Sequence, residues 1–361
     1  MNLTFFIGGL SGGGAERVVC NNANYLAGLG HSVTILTMSD DDPTYPLHSE
    51  TKRFALILKS ERKGFIYNSI KRFFRFVKYI RSNSPDIYVV MLPLTTIMLL
   101  MLKWITDSPV IAAERNNPAS YTRNIKRLLR FTASKADGWV FQTEEARDWY
   151  GKTTGKAKVQ IIPNAINPDF IREPYRGERK KTIVTAGRLT EQKNHVLLLK
   201  AFAIISQKFT DYQLIIYGGG NLKDKIEETV KLLNIEDRVI LPGYTTNIGD
   251  KIKDASLFVL SSDFEGMPNA LMEAMALGLP CVSTDCKGGG ARFLINDGKN
   301  GLLTPIGDVN ALANAMDRML SNRKFAEQCG EEAHKICEQL APEKIYSEWE
   351  NFIIEIANNK K

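Results

Sequence analysis

Apolar stretches alternate along the chain with segments that repeat at helical spacing, which predicts a succession of strands and helices. Residues 3–8 (LTFFIG) form an apolar run of strand length, glycine-rich residues 8–14 follow, and a helix is predicted over residues 15–29. Residues 31–37 (HSVTILT) are the next strand. This order makes one βαβ unit of a parallel sheet. The alternation continues with helices at residues 66–82, 95–105 and 121–135 and strands at residues 86–92, 109–113 and 138–141.

A second series of strands and helices begins after a polar segment near residue 159, where prolines and charges interrupt the pattern. Two consecutive doubly wound α/β domains explain this organisation, at residues 1–165 and 166–342, followed by a helix at residues 343–361. A chain of 361 residues is also too long for one ordinary domain. The second series has predicted strands at residues 181–186, 212–217, 238–241, 257–260 and 281–284, and helices at residues 195–208 and 222–233.

The stretch at residues 261–282 (SSDFEGMPNALMEAMALGLPCV) combines two carboxylates with a predicted helix start. Pro268 suits the first position of a helix, and Gly278 followed by a proline is a stop signal. The helix N-terminus faces a glycine turn, and such an end binds phosphate. The alternative is a core helix on which Glu265 and Glu273 are merely solvated.

Residues 87–102 contain no charged side chain, so a membrane span is an alternative for this segment. Pro93 interrupts the run and Lys103 closes it, which leaves it shorter than the ~20 residues that a spanning helix needs. We interpret it as a strand followed by a buried helix.

The cysteines and the N-terminal residues indicate the cellular compartment in which the protein is expected. The five cysteines form no C-x-x-C pair, which indicates neither a disulfide framework nor a zinc site. The first residues lack the basic segment of a secretory signal. A reducing cytoplasm is therefore the expected location.

The net charge of +7 arises wholly from the first 170 residues. Within them, residues 64–82 (GFIYNSIKRFFRFVKYIRS) are both basic and aromatic, and Lys126, Arg127 and Arg130 extend the basic character. A helix of this kind can rest on an anionic bilayer, or it can be an ordinary amphipathic helix that packs on the sheet. Nucleic acid is a third candidate partner, but no recognition module accompanies these residues.

Several common active-site classes are excluded by spacing. The glycine turns fail the G-x-G-x-x-G pattern, at Arg17 and at Lys223, and no phosphate-binding G-x-x-x-x-G-K-[ST] loop or G-x-S-x-G elbow occurs. The acidic turn at residues 40–42 is the one candidate for a metal clamp, and a solvated turn explains it better. The glycines Gly12, Gly13 and Gly14 still allow a diphosphate to approach the backbone closely at a helix start.

The loop at residues 187–195 (GRLTEQKNH) places Arg188 and Lys193 directly after a strand. A guanidinium and an ammonium are the groups that bind a diphosphate. Because the carboxyl ends of parallel strands meet at one edge, this loop should lie near the glycine turn at residues 218–220, near residues 242–244 and near the stretch at residues 261–282.

Taken together, these motifs resemble glycosyltransferase family 4. The resemblance is carried in order along the chain by Gly12 to Gly14, PNAI at residues 163–166, GRLTEQKN, the turn at residues 218–220, LPGY at residues 241–244, and the E-x7-E pair Glu265 and Glu273. It implies an α/β fold of two Rossmann-like domains that face each other across a cleft, the GT-B type. It also implies that the C-terminal helix packs back on the first domain.

The resemblance further implies roles for individual residues. Glu273 would hold the ribose of a nucleotide, Arg188 and Lys193 its diphosphate, and Glu265 would lie at the donor sugar. Nucleotide-binding positions would also include Gly12, Gly13, Gly14, Gly219, Leu241, Gly266, Met267 and Asn269. Family members often carry a histidine in the first-domain loop where residues 112–118 read AAERNNP, so Arg115 is expected to bind phosphate or acceptor there, or Glu114 to have a polar role.

The implied activity is a retaining hexosyl or N-acetylhexosaminyl transfer from a nucleotide diphosphate sugar, with UDP as the expected nucleotide. The expected acceptor is a lipid-linked glycan or a growing polysaccharide of a bacterium. No metal or other cofactor is required in this family. The expected location is peripheral, at the cytoplasmic face of the membrane. A UDP-sugar epimerase and a non-catalytic sugar-nucleotide-binding protein on the same fold are the alternatives.

Overall fold

A computed structural model of the chain describes residues 1–359, and it divides into two compact units. The first comprises Met1–Asn164 together with the C-terminal segment that begins at Glu343, and the second comprises Ala165–Pro342. Residues 360 and 361, the last two of the helix predicted at residues 343–361, lie outside the described residues.

The first unit is built on a seven-stranded parallel sheet, in the order β3-β2-β1-β4-β5-β6-β7. The direction of winding reverses between β1 and β4, which makes the loops after these two strands the topological switch point. The strands are β1 (Asn2–Ile7), β2 (Ser32–Thr37), β3 (Lys52–Ala55), β4 (Ile87–Met91), β5 (Val110–Ala113), β6 (Gly138–Phe141) and β7 (Lys158–Ile161).

The second unit repeats this plan with six parallel strands, in the order β10-β9-β8-β11-β12-β13. Its winding reverses between β8 and β11, so their following loops form the switch point of this unit. The strands are β8 (Lys180–Ala186), β9 (Gln213–Tyr217), β10 (Val239–Gly243), β11 (Ala255–Leu260), β12 (Cys281–Thr284) and β13 (Leu302–Thr304). Two Rossmann-like α/β units are therefore confirmed.

Helices connect the strands in both units. The first five are α1 (Gly14–Gly28), α2 (Phe65–Ser82), α3 (Pro93–Met101), α4 (Arg123–Thr132) and α5 (Glu144–Tyr150). The second unit continues with α6 (His195–Ile205), α7 (Lys223–Leu232), α8 (Ile248–Ile252), α9 (Asn269–Ala276), α10 (Gly290–Leu294), α11 (Val309–Ser321), α12 (Arg323–His334) and α13 (Ile336–Gln339), and the last helix is α14 (Pro342–Asn358).

The sheets supply the cores, because their central strands are buried on both faces. All five residues of β4 are buried, as expected for the middle of a parallel sheet covered by helices. Phe76, Trp139 and Phe141 anchor one side of the first unit, and Phe202 and Leu214 belong to the core of the second. Burial of each such side chain contributes about 1.5–3 kcal/mol.

The uncharged run at residues 87–102 forms β4 and α3, as predicted. Within residues 1–359, no helix has the length and apolar character that a membrane crossing requires.

The C-terminal helix α14 packs on the first unit. Trp349 is fully buried, and a Cβ atom placed on Gly138 of β6 would come within 3.1 Å of Phe352 and Ile356. A side chain at position 138 would therefore require Phe352 and Ile356 to shift by a few tenths of an ångström. The expectation that this helix packs on the first domain is therefore confirmed.

Candidate functional site

The loops that follow β8 and β11 are joined by hydrogen bonds at the switch point of the second unit. The backbone N–H of Asp263 donates to the carbonyl oxygen of Gln192 at 2.9 Å, and the hydroxyl of Ser261 donates to the carbonyl oxygen of Lys193 at 2.9 Å. Asn194 has a left-handed backbone, with φ at 43°, and its amide donates to Asp263 at 2.8 Å. The two predicted loops therefore form one rigid platform.

Lys193 and Glu265 form an ion pair in this platform. Nζ of Lys193 lies 2.5 Å from Oε1 of Glu265, and the two side chains are only 14% and 9% exposed. The hydroxyl of Ser262 donates to the same oxygen at 2.8 Å, and the amide of Gln192 donates to Oε2 at 3.3 Å. The carboxylate is therefore fixed by one cation and two neutral donors.

Arg188 presents its side chain to solvent at the same edge of the sheet. In the part of the chain that the structure describes, its guanidinium pairs with no acidic residue. Its carbonyl oxygen lies 3.3 Å from Nε2 of the buried His195, which requires the hydrogen to be on that ring nitrogen. Burial lowers the pKa of His195 to about 4, so the ring is neutral at pH 7. Among the described residues, Arg188 is thus a cation without an acidic partner, on a backbone that His195 holds in place.

The glycine turn after β9 lies against the Arg188 loop. Gly218 has a φ of 142°, and any Cβ atom there would overlap the carbonyl oxygen of Gly187. The N–H of Gly218 donates to the carbonyl oxygen of Gly243 at 2.9 Å, whereas Gly219 has open space where a side chain would be. Leu241, predicted at a nucleotide-binding position, packs its side chain against the core, so only its backbone is available to a ligand.

The second Glu of the pair lies on α9. The helix begins at Asn269 with Pro268 as its N-cap, so the prediction of Pro268 as the first helical residue was one position early. Gly266 and Met267 are buried beside this helix start, while Asn269 and Glu273 are partly exposed. Gly278, with φ at 69°, ends the helix as predicted.

A further glycine run, at residues 288–290, lies against Gly266. No function was predicted for it from the sequence. Lys287 pairs with the platform through backbone bonds to Asp263 and Glu265, at 3.1 and 2.8 Å. A Cβ atom on Gly290 would overlap the carbonyl oxygen of Gly266. The signal was present as K-G-G-G before a helix, the same type of pattern as Gly12 to Gly14.

Gly12, Gly13 and Gly14 form the loop that starts α1 in the first unit, after β1. Gly12 has a φ of 97°, and Gly14 is the first helical residue. Gly12 and Gly14 are exposed, and the carboxylate of Glu16 lies against the backbone of Gly13. The loop has the predicted form, and its helix end already has a carboxylate beside it.

Glu114 and Arg115 are both buried in the first unit. Tyr121 and Tyr150 donate their hydroxyl hydrogens to Glu114 at 2.7 and 2.8 Å, and burial raises the pKa of this carboxyl group. Arg115 donates to Asn164, and burial lowers its pKa to about 9.

The guanidinium of Arg115 also lies 5.8 Å from the ring of Trp349. Its Nε and Nη1 atoms have no hydrogen-bond partner among the described residues. Through Asn164 and Trp349, Arg115 therefore connects the loop after β5 to the segment that follows β7 and to α14.

The acidic turn at residues 40–42 is neutralised by cations. Lys59 lies 2.5 Å from Asp42, Arg62 lies 2.7 Å from Asp41, and Arg53 lies 3.8 Å from Asp40. Within residues 1–359, no group of three or more histidine, cysteine, aspartate or glutamate side chains is placed to hold a metal ion.

The basic helix α2 packs on the sheet only through its second half. Phe76, Tyr79 and Ile80 are buried, but Phe65, Ile66 and Phe74 are 84%, 73% and 66% exposed. The helix therefore presents aromatic and aliphatic side chains to solvent, which an ordinary packed amphipathic helix would bury.

Two of the cations on α2 are not free. Arg75 and Lys71 pair with Glu61 at 2.5 and 3.0 Å and hold the pKa of that carboxyl group at about 2. Lys78 and Arg81 have no acidic partner within residues 1–359.

Two family models together match most of the chain. Residues 12–170 match the model for glycosyltransferase family 4, and residues 167–336 match the model for glycosyl transferases group 1. The match to the second family model includes Arg188, Lys193, Glu265 and Glu273.

Two curated relatives come from Campylobacter jejuni. One is named GalNAc-alpha-(1->4)-GalNAc-alpha-(1->3)-diNAcBac-PP-undecaprenol alpha-1,4-N-acetyl-D-galactosaminyltransferase, and it is 28% identical over 99% of both chains. The other is named N-acetylgalactosamine-N,N'-diacetylbacillosaminyl-diphospho-undecaprenol 4-alpha-N-acetylgalactosaminyltransferase, and it is 29% identical over 90% of this chain and 91% of the relative.

Among solved structures, HepE from Anabaena in complex with UDP and glucose superposes with a TM-score of 0.83. The sequences are 16% identical, and the match covers 98% of this chain and 100% of the other. At this identity the likeness concerns the fold, and it confirms the predicted GT-B type.

Proposed function

Because the chain belongs to glycosyltransferase family 4, we propose that it transfers a hexosyl or N-acetylhexosaminyl group from a UDP-sugar to a lipid-linked or growing polysaccharide acceptor, with retention of the anomeric configuration. The observation that carries this proposal is the platform at the switch point of the second unit, where Arg188, Lys193 and Glu265 lie on two loops joined by hydrogen bonds.

The donor would bind at this platform through its diphosphate. Arg188 offers a guanidinium that pairs with no acidic side chain among the described residues, Lys193 offers an ammonium, and the backbone at Gly219 is open enough for close approach. Two cations and exposed N–H groups balance a dianion. Glu273 on α9 would then accept hydrogen bonds from the ribose hydroxyls, and Glu265 would face the donor sugar.

The transfer breaks the bond between the anomeric carbon and the diphosphate oxygen. The acceptor hydroxyl oxygen forms a bond to the same face of that carbon, and its proton passes to the departing diphosphate. Arg188 and Lys193 would stabilise the negative charge that develops on the leaving group, a role that a metal ion has in other enzymes. The reaction is therefore proposed to proceed without a metal.

Arg115 receives a different role from the one expected of it. Its guanidinium is buried among Asn164 and Trp349 of its own unit. We assign it to positioning the loop after β5, with Glu114 and its two tyrosine partners.

The acceptor proposal draws on the two Campylobacter relatives, whose names specify undecaprenol-linked glycans. Such an acceptor is embedded in a membrane. Helix α2 exposes the apolar side chains of Phe65, Ile66 and Phe74 and the cations Lys78 and Arg81. These groups suit contact with an anionic bilayer, where aromatic side chains enter the interface and cations meet lipid headgroups. We therefore propose that the enzyme works at the cytoplasmic face of the membrane.

Thermal stabilisation by a panel of nucleotide sugars tests the donor proposal. A ligand at 100 times its dissociation constant adds about 2.7 kcal/mol to the free energy of unfolding, which is readily measured. We expect UDP-sugars to raise the melting temperature of the wild type and to have little effect on a Glu273→Ala variant. Stabilisation by no UDP-sugar, or equal stabilisation of the variant, would contradict the assigned site.

A further inference from the structure

Lys193, one of the two cations proposed to bind the diphosphate, already has an anionic partner in the ligand-free structure. Its Nζ atom lies 2.5 Å from Oε1 of Glu265, and neither side chain is more than 14% exposed. Its stem lies over the end of β8, where a Cβ atom on Gly187 would be 3.2 Å from Cε of Lys193. The side chain of Lys193 thus lies at the end of β8, and its ammonium is already paired with a carboxylate.

The carboxylate of Glu265 has hydrogen-bond donors other than Lys193. Ser262, which is fully buried, donates to Oε1 at 2.8 Å, and Gln192 donates to Oε2 at 3.3 Å. Gln192 also donates to the carbonyl oxygen of Phe264 at 2.9 Å, so its amide is held by the backbone. If the ammonium moves away, each oxygen of the carboxylate keeps a hydrogen-bond donor, which avoids the cost of an unsatisfied buried charge.

We propose that Glu265 acts as an internal counter-ion that the donor diphosphate displaces from Lys193. In the ligand-free state the carboxylate takes the place of a phosphate oxygen beside the ammonium. On donor binding, Lys193 turns to the diphosphate, and Ser262 and Gln192 hold the released carboxylate toward the sugar. Ser262 and Gln192 are positioning residues in this exchange, which rests on the proposed function.

The exchange has a consequence for affinity that is opposite to the usual effect of removing an active-site residue. Every diphosphate that binds must first compete with Glu265 for Lys193. Neutralising Glu265 removes the competitor and leaves the ammonium without an anion. The Glu265→Gln variant should therefore bind UDP more tightly than the wild type, even though it loses the carboxylate proposed for the donor sugar.

Titration calorimetry with UDP and with uridine measures this effect on the intact protein. We expect the Kd for UDP to fall by roughly ten- to a hundredfold in Glu265→Gln, the range set by a hydrogen bond to a charged group. Uridine has no diphosphate, so its Kd should stay the same. The gain should vanish in a Lys193→Met/Glu265→Gln double variant, because the ammonium that mediates it is gone.

Asp285→Asn is the matched control. Asp285 follows β12, and its carboxylate pairs with Arg292 at 2.8 Å and not with Lys193. The control removes one negative charge from the same unit, and we expect its Kd for UDP to change less than about twofold, because exposed charges interact weakly through water.

Four outcomes separate the possibilities. Tighter UDP binding by Glu265→Gln alone, lost in the double variant, supports the exchange. An unchanged or weaker affinity of Glu265→Gln overturns it, and so does an equal gain in Asp285→Asn, since that gain would reflect net charge only. If the wild type itself binds no UDP, the proposed function fails and the exchange fails with it.

Discussion

The carbonyl oxygen of Gly187 occupies the space that a Cβ atom on Gly218 would need. This contact sets the position of the glycine turn beside Arg188, and it depends on the absence of a side chain at Gly218. Gly218 also has a φ of 142°, a backbone conformation that other residues adopt only with strain.

We therefore expect Gly218→Ala to destabilise the second unit by about 2–4 kcal/mol, because it combines backbone strain with a steric overlap. Gly219→Ala is the matched control, since a Cβ atom there meets nothing within 4 Å. Urea unfolding measures both variants. Equal stabilities for the two would show that the turn is not constrained by Gly187.

The neutral His195 predicts a specific dependence of stability on pH. Its folded pKa of about 4 lies below the unfolded value of 6.5, so the unfolded state binds a proton that the folded state does not. The contribution of His195 is fully present above pH 6.5 and is lost as the pH falls toward 4, and it amounts to at most about 3 kcal/mol.

The His195→Gln variant should flatten this part of the stability profile between pH 6.5 and 4. Glutamine retains a donor for the carbonyl oxygen of Arg188 but does not titrate. Thermal unfolding across this pH range makes the comparison. If the variant and the wild type lose stability in parallel, another group is responsible for the acid sensitivity.

The two sheets show most clearly how much of the fold could be predicted from the sequence. The central strands, such as β4 and β11, are apolar runs and were identified from the pattern alone. The three strands β3, β7 and β13 were not, and each lies at an edge of its sheet. An edge strand is short and partly solvated, so β3 (KRFA) and β7 (KVQI) lack the apolar signal of a central strand.

Within the site, the sequence predicted which residues lie on the loops but not how they pair. Arg188, Lys193 and Glu265 follow strands that adjoin each other, which the strand and helix pattern could suggest. The ion pair of Lys193 with Glu265 and the burial of Arg115 depend on side-chain contacts between distant segments. Arg115 meets Trp349, which is far along the chain, and no local pattern encodes such a contact.

Trp349 should be essential to the first unit. It is fully buried where α14 packs, next to Arg115, so we expect Trp349→Ala to lower the free energy of unfolding by about 3–5 kcal/mol through the cavity that it leaves. Trp104 is 78% exposed, and Trp104→Ala should cost less than about 0.5 kcal/mol. Calorimetric melting compares the two, and a similar cost for both would argue against a structural role of α14.

The exposed side chains of α2 should govern attachment to lipid. Replacing Phe65, Ile66 and Phe74 together by glutamine should weaken flotation with liposomes that contain anionic lipid, because each residue contributes apolar area to the interface. Leu232→Gln is the control, since Leu232 is 74% exposed on the second unit. The helix is not the membrane contact if the triple variant floats as well as the control.

The cations on α2 provide a second test of attachment to lipid. Lys78→Glu/Arg81→Glu should reduce flotation at low salt, and the loss should diminish as salt screens the charges. Lys71 and Arg75 should matter less for lipid, because both already pair with Glu61. Equal losses from the two pairs would show that the bilayer competes with Glu61.

The release of UDP from a UDP-sugar, with and without an undecaprenyl-diphosphate-linked oligosaccharide, tests sugar transfer itself. We expect release that depends on the acceptor, continues in EDTA, yields a glycoside with the anomeric configuration of the donor, and falls at least about a hundredfold in Arg188→Ala, since a lost charge contact to the leaving group costs about 2.7–4 kcal/mol. UDP release that ignores the acceptor, or full activity of Arg188→Ala, would contradict a glycosyltransferase that works at this platform.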